Sequence, residues 1–289
     1  MLESIINPKR VEKGPWKMFF VGLVYASLSL LLVRWFFSGD AVLSRYSGIM
    51  IVTFSVMFSI PFMYFIIKQE EEEDEMVFGL FGIWKAHKDA IFAFIWLFVG
   101  FVVAFSFWDI VIRDPNLFNA QIETYCKINN PLNYERCVKM YTLSEWNEEK
   151  KITGGITKGS MLLQIIENNI FVGVFTLIFS LIFGAGAIFV LSWNASVISA
   201  AISIFTQHQI KGIPVGITRY MIHGIPEITA YFIVALAGGM FGVSILRNGF
   251  YSKKFLHTLE NVIILLFLAL VIILIAGGIE VYFTPLFFK

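Results

Sequence analysis

Six apolar runs dominate this chain: Met18–Phe37, Ser47–Ile67, Ile91–Ile112, Ile170–Ser192, Ile228–Ile245 and Val262–Phe283. Each is long enough, as a helix, to span a hydrocarbon core of about 30 Å. Only helices and closed barrels satisfy every backbone polar group in lipid, and these runs show helical length rather than strand alternation. The expected fold is an all-α polytopic bundle with six to seven transmembrane segments. The composition agrees: 57% of the residues are hydrophobic, 15% are charged, and phenylalanine occurs 31 times. A water-soluble domain carries far more charge. A net charge of +1 points to neither nucleic acid nor an acidic substrate as partner.

A seventh segment, Asn194–Ile210, is shorter and more polar. It either crosses or dips in and returns, and crossing is the favoured reading. Lys9, Arg10, Lys13 and Lys17 precede the first run, which places the N-terminus in the cytoplasm and makes that run an uncleaved anchor. If Asn194–Ile210 crosses, the basic stretch 247-RNGFYSKK-254 is cytoplasmic and the C-terminus is outside. If it does not, Lys211 and Arg219 lie inside and the C-terminus returns to the cytoplasm.

The connecting segments are unequal. The second run is followed by 70-EEEEDE-75, six acids in a row, which reads as a solvated, mobile stretch or as a dock for a basic cytoplasmic partner at Glu70–Glu75. After it, 76-MVFGLFGIWKAHKDA-90 suits an interfacial helix, with Trp84 between apolar residues and lysines. The segment Arg113–Asn168 lies on the opposite side and should fold as a small helical cap between spans three and four. It holds both cysteines, Cys126 and Cys137. In an oxidising compartment these form a disulfide, worth about 3 kcal/mol in the chain-entropy model; otherwise they are unpaired thiols in a soluble loop. A metal site would need further ligands nearby, and none is at hand.

The unusual chemistry sits in the second half. Asn168 and Asn169 open the fourth run, and Asn194 follows it. Such amides cap helix ends or bond a neighbouring helix, typically for about 1 kcal/mol or less. Gly184 and Gly186 make a flat patch, and Gly238 and Gly242 stand in GxxxG spacing, so these faces should pack on each other or across a homodimer. The stretch 223-HGIPE-227 has two readings. As a helix start, Pro226 takes the first turn, Glu227 meets the positive helix end, and Gly224 permits a close approach. As a polar node, His223 and Glu227 bind a proton, a cation or a lipid headgroup, with Glu280 in the last run supporting it. Arg34, Asp109 and Glu167 are possible companions.

The order ENN, span, FGAG, N-A-S, HGIPE, span, GG resembles the stage II sporulation protein M family (DUF95) of integral membrane proteins over about Phe92–Phe283. His223, Gly224 and Glu227 match its H-G-x-x-E signature, and Asn168 and Asn169 its paired asparagines. The acidic run and 104-AFSFW-108 are similar to features of longer archaeal members. The chain departs from the family where Ala195 follows Asn194 in place of glycine. The resemblance divides the chain into an N-terminal two-span region, 1–90, and a membrane domain, 91–289. It implies a membrane scaffold in remodelling or in organising an envelope complex; the residues keep a transporter or channel open beside it. Membrane lipids are the expected surroundings. No H-E-x-x-H, G-x-S-x-G or phosphate-loop pattern occurs, so no enzyme, metal or cofactor is expected.

Overall fold

The computed structural model describes residues 14–74, 79–114, 116–129, 133–142, 158–183, 186–248 and 252–287. Nine helices of at least nine residues carry these segments. They are α1 (Met18–Phe37), α2 (Ser47–Asp74), α3 (Gly79–Ile112), α4 (Asn119–Asn129), α5 (Tyr134–Thr142), α6 (Lys158–Phe183), α7 (Gly186–Phe205), α8 (Ile213–Asn248) and α9 (Lys253–Gly278). A π-helical turn, Ile279–Phe283, and a last short helix, α10 (Thr284–Phe287), follow. Seven helical segments are long and apolar enough to cross a membrane. The protein is an all-α, polytopic membrane bundle.

The runs do not all begin and end where apolarity suggested. Ile170–Ser192 is not one span: α6 starts earlier, at Lys158, and stops at Phe183, and α7 starts at Gly186. The segment expected over Asn194–Ile210 is the second part of α7, which ends at Phe205 and is long and apolar enough to cross. The acidic run continues α2 as helix through Asp74; Glu75 lies outside the described residues. The expected interfacial helix is continuous with the third span in α3.

Helices α3, α7 and α8 are the most enclosed, and α1, α2, α6 and α9 are peripheral. α8 packs chiefly on α9 and α6, α3 on α1 and α7. The core is aromatic: Phe98, Phe101 and Phe105 of α3 are fully buried, and Phe94 stacks on Phe232 of α8 with centroids 4.7 Å apart. Several buried hydroxyls are satisfied within their own helices. Ser29 donates to Tyr25 O at 2.6 Å, and Ser55 and Ser59 donate one turn back. Trp108 reaches across to Ser27, 2.9 Å away, tying α3 to α1.

Two glycine contacts set helix spacing. A Cβ on Gly22 would overlap the Leu97 carbonyl, and one on Gly100 the Phe19 carbonyl, so α1 and α3 touch backbone to backbone. A Cβ on Gly238 would lie 2.9 Å from Leu177 O, and one on Gly242 2.6 Å from Leu181 O. The GxxxG face of α8 is therefore filled by α6 of the same chain. Gly184 lies outside the described residues, and Gly186 opens α7.

The cap is α4 and α5, joined by a Cys126–Cys137 disulfide with Cα atoms 5.7 Å apart. It is keyed into the bundle by Gln121, which is fully buried. Its amide donates to Gly48 O and to Ser196 Oγ, both at 3.1 Å, and so bridges α2 and α7. The acidic and aromatic residues Glu145, Trp146, Glu148 and Glu149 lie outside the described residues.

Candidate functional site

The HGIPE stretch does not start a helix. α8 runs unbroken from Ile213 to Asn248 with Pro226 inside it. An internal proline removes one backbone hydrogen bond and costs about 3 kcal/mol in a water-exposed helix; in membrane helices neighbouring groups restore the lost contacts. Glu227 therefore sits roughly 20 Å along α8 from Ile213, counting the helical rise, and the dipole argument for it lapses. Gly224 is buried, yet a Cβ there would meet only ordinary contacts at 3.5 Å and 3.6 Å. The close approach expected of it is absent.

Asn169 organises what surrounds Glu227. It lies within α6, not at a span opening, and is 5% exposed. Its Nδ2 donates to Glu227 Oε1 at 2.7 Å. Its Oδ1 accepts from the Tyr231 hydroxyl at 2.9 Å and from Asn168 Nδ2 at 3.4 Å. Glu227 and Tyr231 are one turn apart on α8, so a single amide on α6 clamps both. Glu280 comes from the π turn after α9 and lies close enough to Glu227 for their charges to act on each other. On the other side, His223 Nδ1 is 3.4 Å from Thr284 Oγ1. Thr284 also donates to Ile279 O, five residues back, at 3.2 Å, which fits the wider turn.

Four of the expected residues are thus brought together: His223, Glu227, Glu280 and Asn169. Tyr231 and Thr284 complete the node and were missed. Both are one helical turn from an expected residue, and that spacing was the available signal. Other expected residues lie apart. Asn168 reaches the node only through its 3.4 Å bond to Asn169 and is exposed on α6, as is its neighbour Glu167. Asn194 donates to Val190 O of its own helix at 2.7 Å. Arg34 pairs with Asp114 at 2.5 Å, and Asp109 lies with them at the cap face, away from the node.

A line of polar contacts leads from the cap toward the node. Tyr125 of α4 lies close enough to Tyr220 of α8 for the two phenols to act on each other. Burial first, and then neighbouring phenols, hold the Tyr125 hydroxyl far above its ordinary range, so it keeps its proton. The Tyr220 ring is 6.3 Å from the His223 ring. The Arg219 guanidinium rests over Phe205, 4.7 Å from its centroid. Among the described residues no three His, Cys, Asp or Glu side chains gather as a metal ion would need.

The family model for stage II sporulation protein M matches residues 89–285. That span holds every residue of the node and of the cap, and it leaves out α1 and α2. No curated protein and no solved structure matches the chain.

Proposed function

The chain belongs to the stage II sporulation protein M family, and from that premise we propose that it is a membrane transport protein that takes up and releases a proton at the Glu227–Glu280 pair. One observation carries the reading. Two carboxyl side chains on separate helices lie close enough inside a membrane bundle for their charges to act on each other, and among the described residues neither forms an ion pair with a lysine or arginine. Ionisable groups inside membrane segments are costly and are kept for a task. A half-buried acid pair inside a membrane needs a positive partner, and a proton is the smallest one. Asn169 can hold Glu227 with or without that proton, because the amide donates to the oxygen that stays unprotonated. The Tyr125, Tyr220, His223 and Thr284 side chains supply exchangeable protons between the cap and the pair.

The test is proton flux in vesicles containing the purified chain and an internal pH-sensitive dye, under an imposed pH gradient. Wild-type protein should dissipate the gradient faster than empty vesicles, and Glu227→Gln and Glu280→Gln should not. Wild-type vesicles that hold the gradient as well as empty ones would overturn the reading.

A second reading, an assembly scaffold acting as a homodimer, is favoured by α2. That helix carries Glu70 to Asp74 past its apolar part, which supports docking of a basic partner there. Under this reading Glu227→Gln leaves assembly intact, and cross-linking in native membranes captures a second copy. A lone monomer that captures nothing contradicts it.

A further inference from the structure

Beneath the cap, the ends of α3 and α7 enclose a cavity of about 310 Å³ that none of the node residues lines. Pockets for single small molecules run from roughly 300 to 1,000 Å³.

Its charges do not cancel in place. Asp114 is already compensated: one oxygen accepts from Arg34 and the other from the Asn116 amide at 3.0 Å. His208 is neutral near pH 7, because burial, and then the charge of Arg113, hold it below its ordinary range. Two ionisable groups remain. Asp109 is 8% exposed and lines the cavity beside Ser203. Arg113 donates from Nε to Ile110 O at 3.2 Å and from Nη2 to His208 O at 3.3 Å, which leaves the rest of its donor fork unspent. No ion pair joins Asp109 to Arg113. A buried carboxyl group and a guanidinium are held apart on one cavity.

The backbone marks the same place. Among the described residues, the non-glycine positions with positive φ are Arg113 at 52°, Gln207 at 52° and His208 at 53°, and all three line this cavity. L-residues avoid that region. Such strain persists where the surroundings enforce it, and it collects at ligand clamps.

We propose that this cavity binds a small zwitterion, its ammonium against Asp109 and its acid group against Arg113. The chemistry is shared by free amino acids and by the aminoethyl phosphate headgroup of a lipid. The site stands on its own geometry and does not depend on the proton reading of the node.

The test is calorimetric titration of the full chain in nanodiscs of phosphatidylglycerol. Glycine and phosphoethanolamine are the probes, with ethanolamine and inorganic phosphate as their separate halves. At least one zwitterion should bind where neither half does. Arg113→Gln and Asp109→Asn should each weaken it by roughly tenfold or more, the usual loss when a charged hydrogen-bond partner is removed. Arg113 is exposed, so its variant keeps the test open even if Asp109→Asn fails to fold. Silence with both zwitterions, equal binding of a half, or unchanged affinity in Arg113→Gln overturns the proposal. Nanodiscs of phosphatidylethanolamine then separate the sources. Lost binding of the free probe assigns the site to the lipid headgroup, and unchanged binding assigns it to the soluble molecule.

Discussion

The α1–α3 contact and the α6–α8 contact use one device for different ends. In both, glycines bring two helix backbones together, Gly22 and Gly100 in the first, Gly238 and Gly242 in the second. Around the first pair lie phenylalanines, and the polar residues that α1 and α2 bury are serines. Around the second, the same close spacing lets an amide on α6 reach a carboxyl on α8. α1 and α2 lie outside the part of the chain that matches the family; α6 and α8 lie inside it. The contrast teaches that tight helix packing is neutral toward chemistry. What makes a site is a polar side chain placed two to three turns from the contact and aimed across it.

The sharpest way to break this comparison is to exchange the effects of substitution. Glu227→Gln should reduce proton flux to the level of empty vesicles while thermal stability in detergent stays level or rises, since a buried charge is removed and the shape is kept. Gly100→Leu should do the reverse. Its side chain would collide with the Phe19 carbonyl, so unfolding should become easier by about 1–3 kcal/mol, with flux per folded molecule unchanged. Equal flux losses from both would erase the distinction between the two contacts. Tyr231→Phe should cost about 1 kcal/mol, the worth of one hydrogen bond to Asn169, read as a shift in the detergent melting curve. The smallest effect is expected at the cap. His208 is held neutral in the folded chain, so below about pH 6.5 the unfolded chain binds the extra proton first. Stability should therefore fall as pH falls through that range, and melting curves of His208→Asn should show a flatter slope between pH 7 and pH 5.

Much of the bundle was legible from hydropathy alone, because lipid imposes length and apolarity on every span. The division between α6 and α7 was not: the run Ile170–Ser192 is apolar throughout, and no charged residue in it marks the change of helix. Pro226 misled for a physical reason. The rule that puts proline in the first turn belongs to helices in water, while a helix enclosed by others tolerates it inside. Gly22 and Gly100 are single glycines far apart in sequence, and no spacing rule could pair them. The strained residues at the cap cavity carry no glycine to announce them. The Glu227 and Glu280 juxtaposition was suggested by cost: each is an acid in a stretch where acids are expensive.

The π turn at Ile279–Phe283 is in effect a phase slip. A helix that accommodates one surplus residue turns everything downstream by about 100° relative to a regular continuation. Excising a single residue from that loosened coil would let it rewind, swinging Thr284 away from His223 and turning Thr284–Phe287 to a different side. The short turn Thr284–Phe287 thus owes its orientation to an irregularity in winding as well as to the contacts of Thr284.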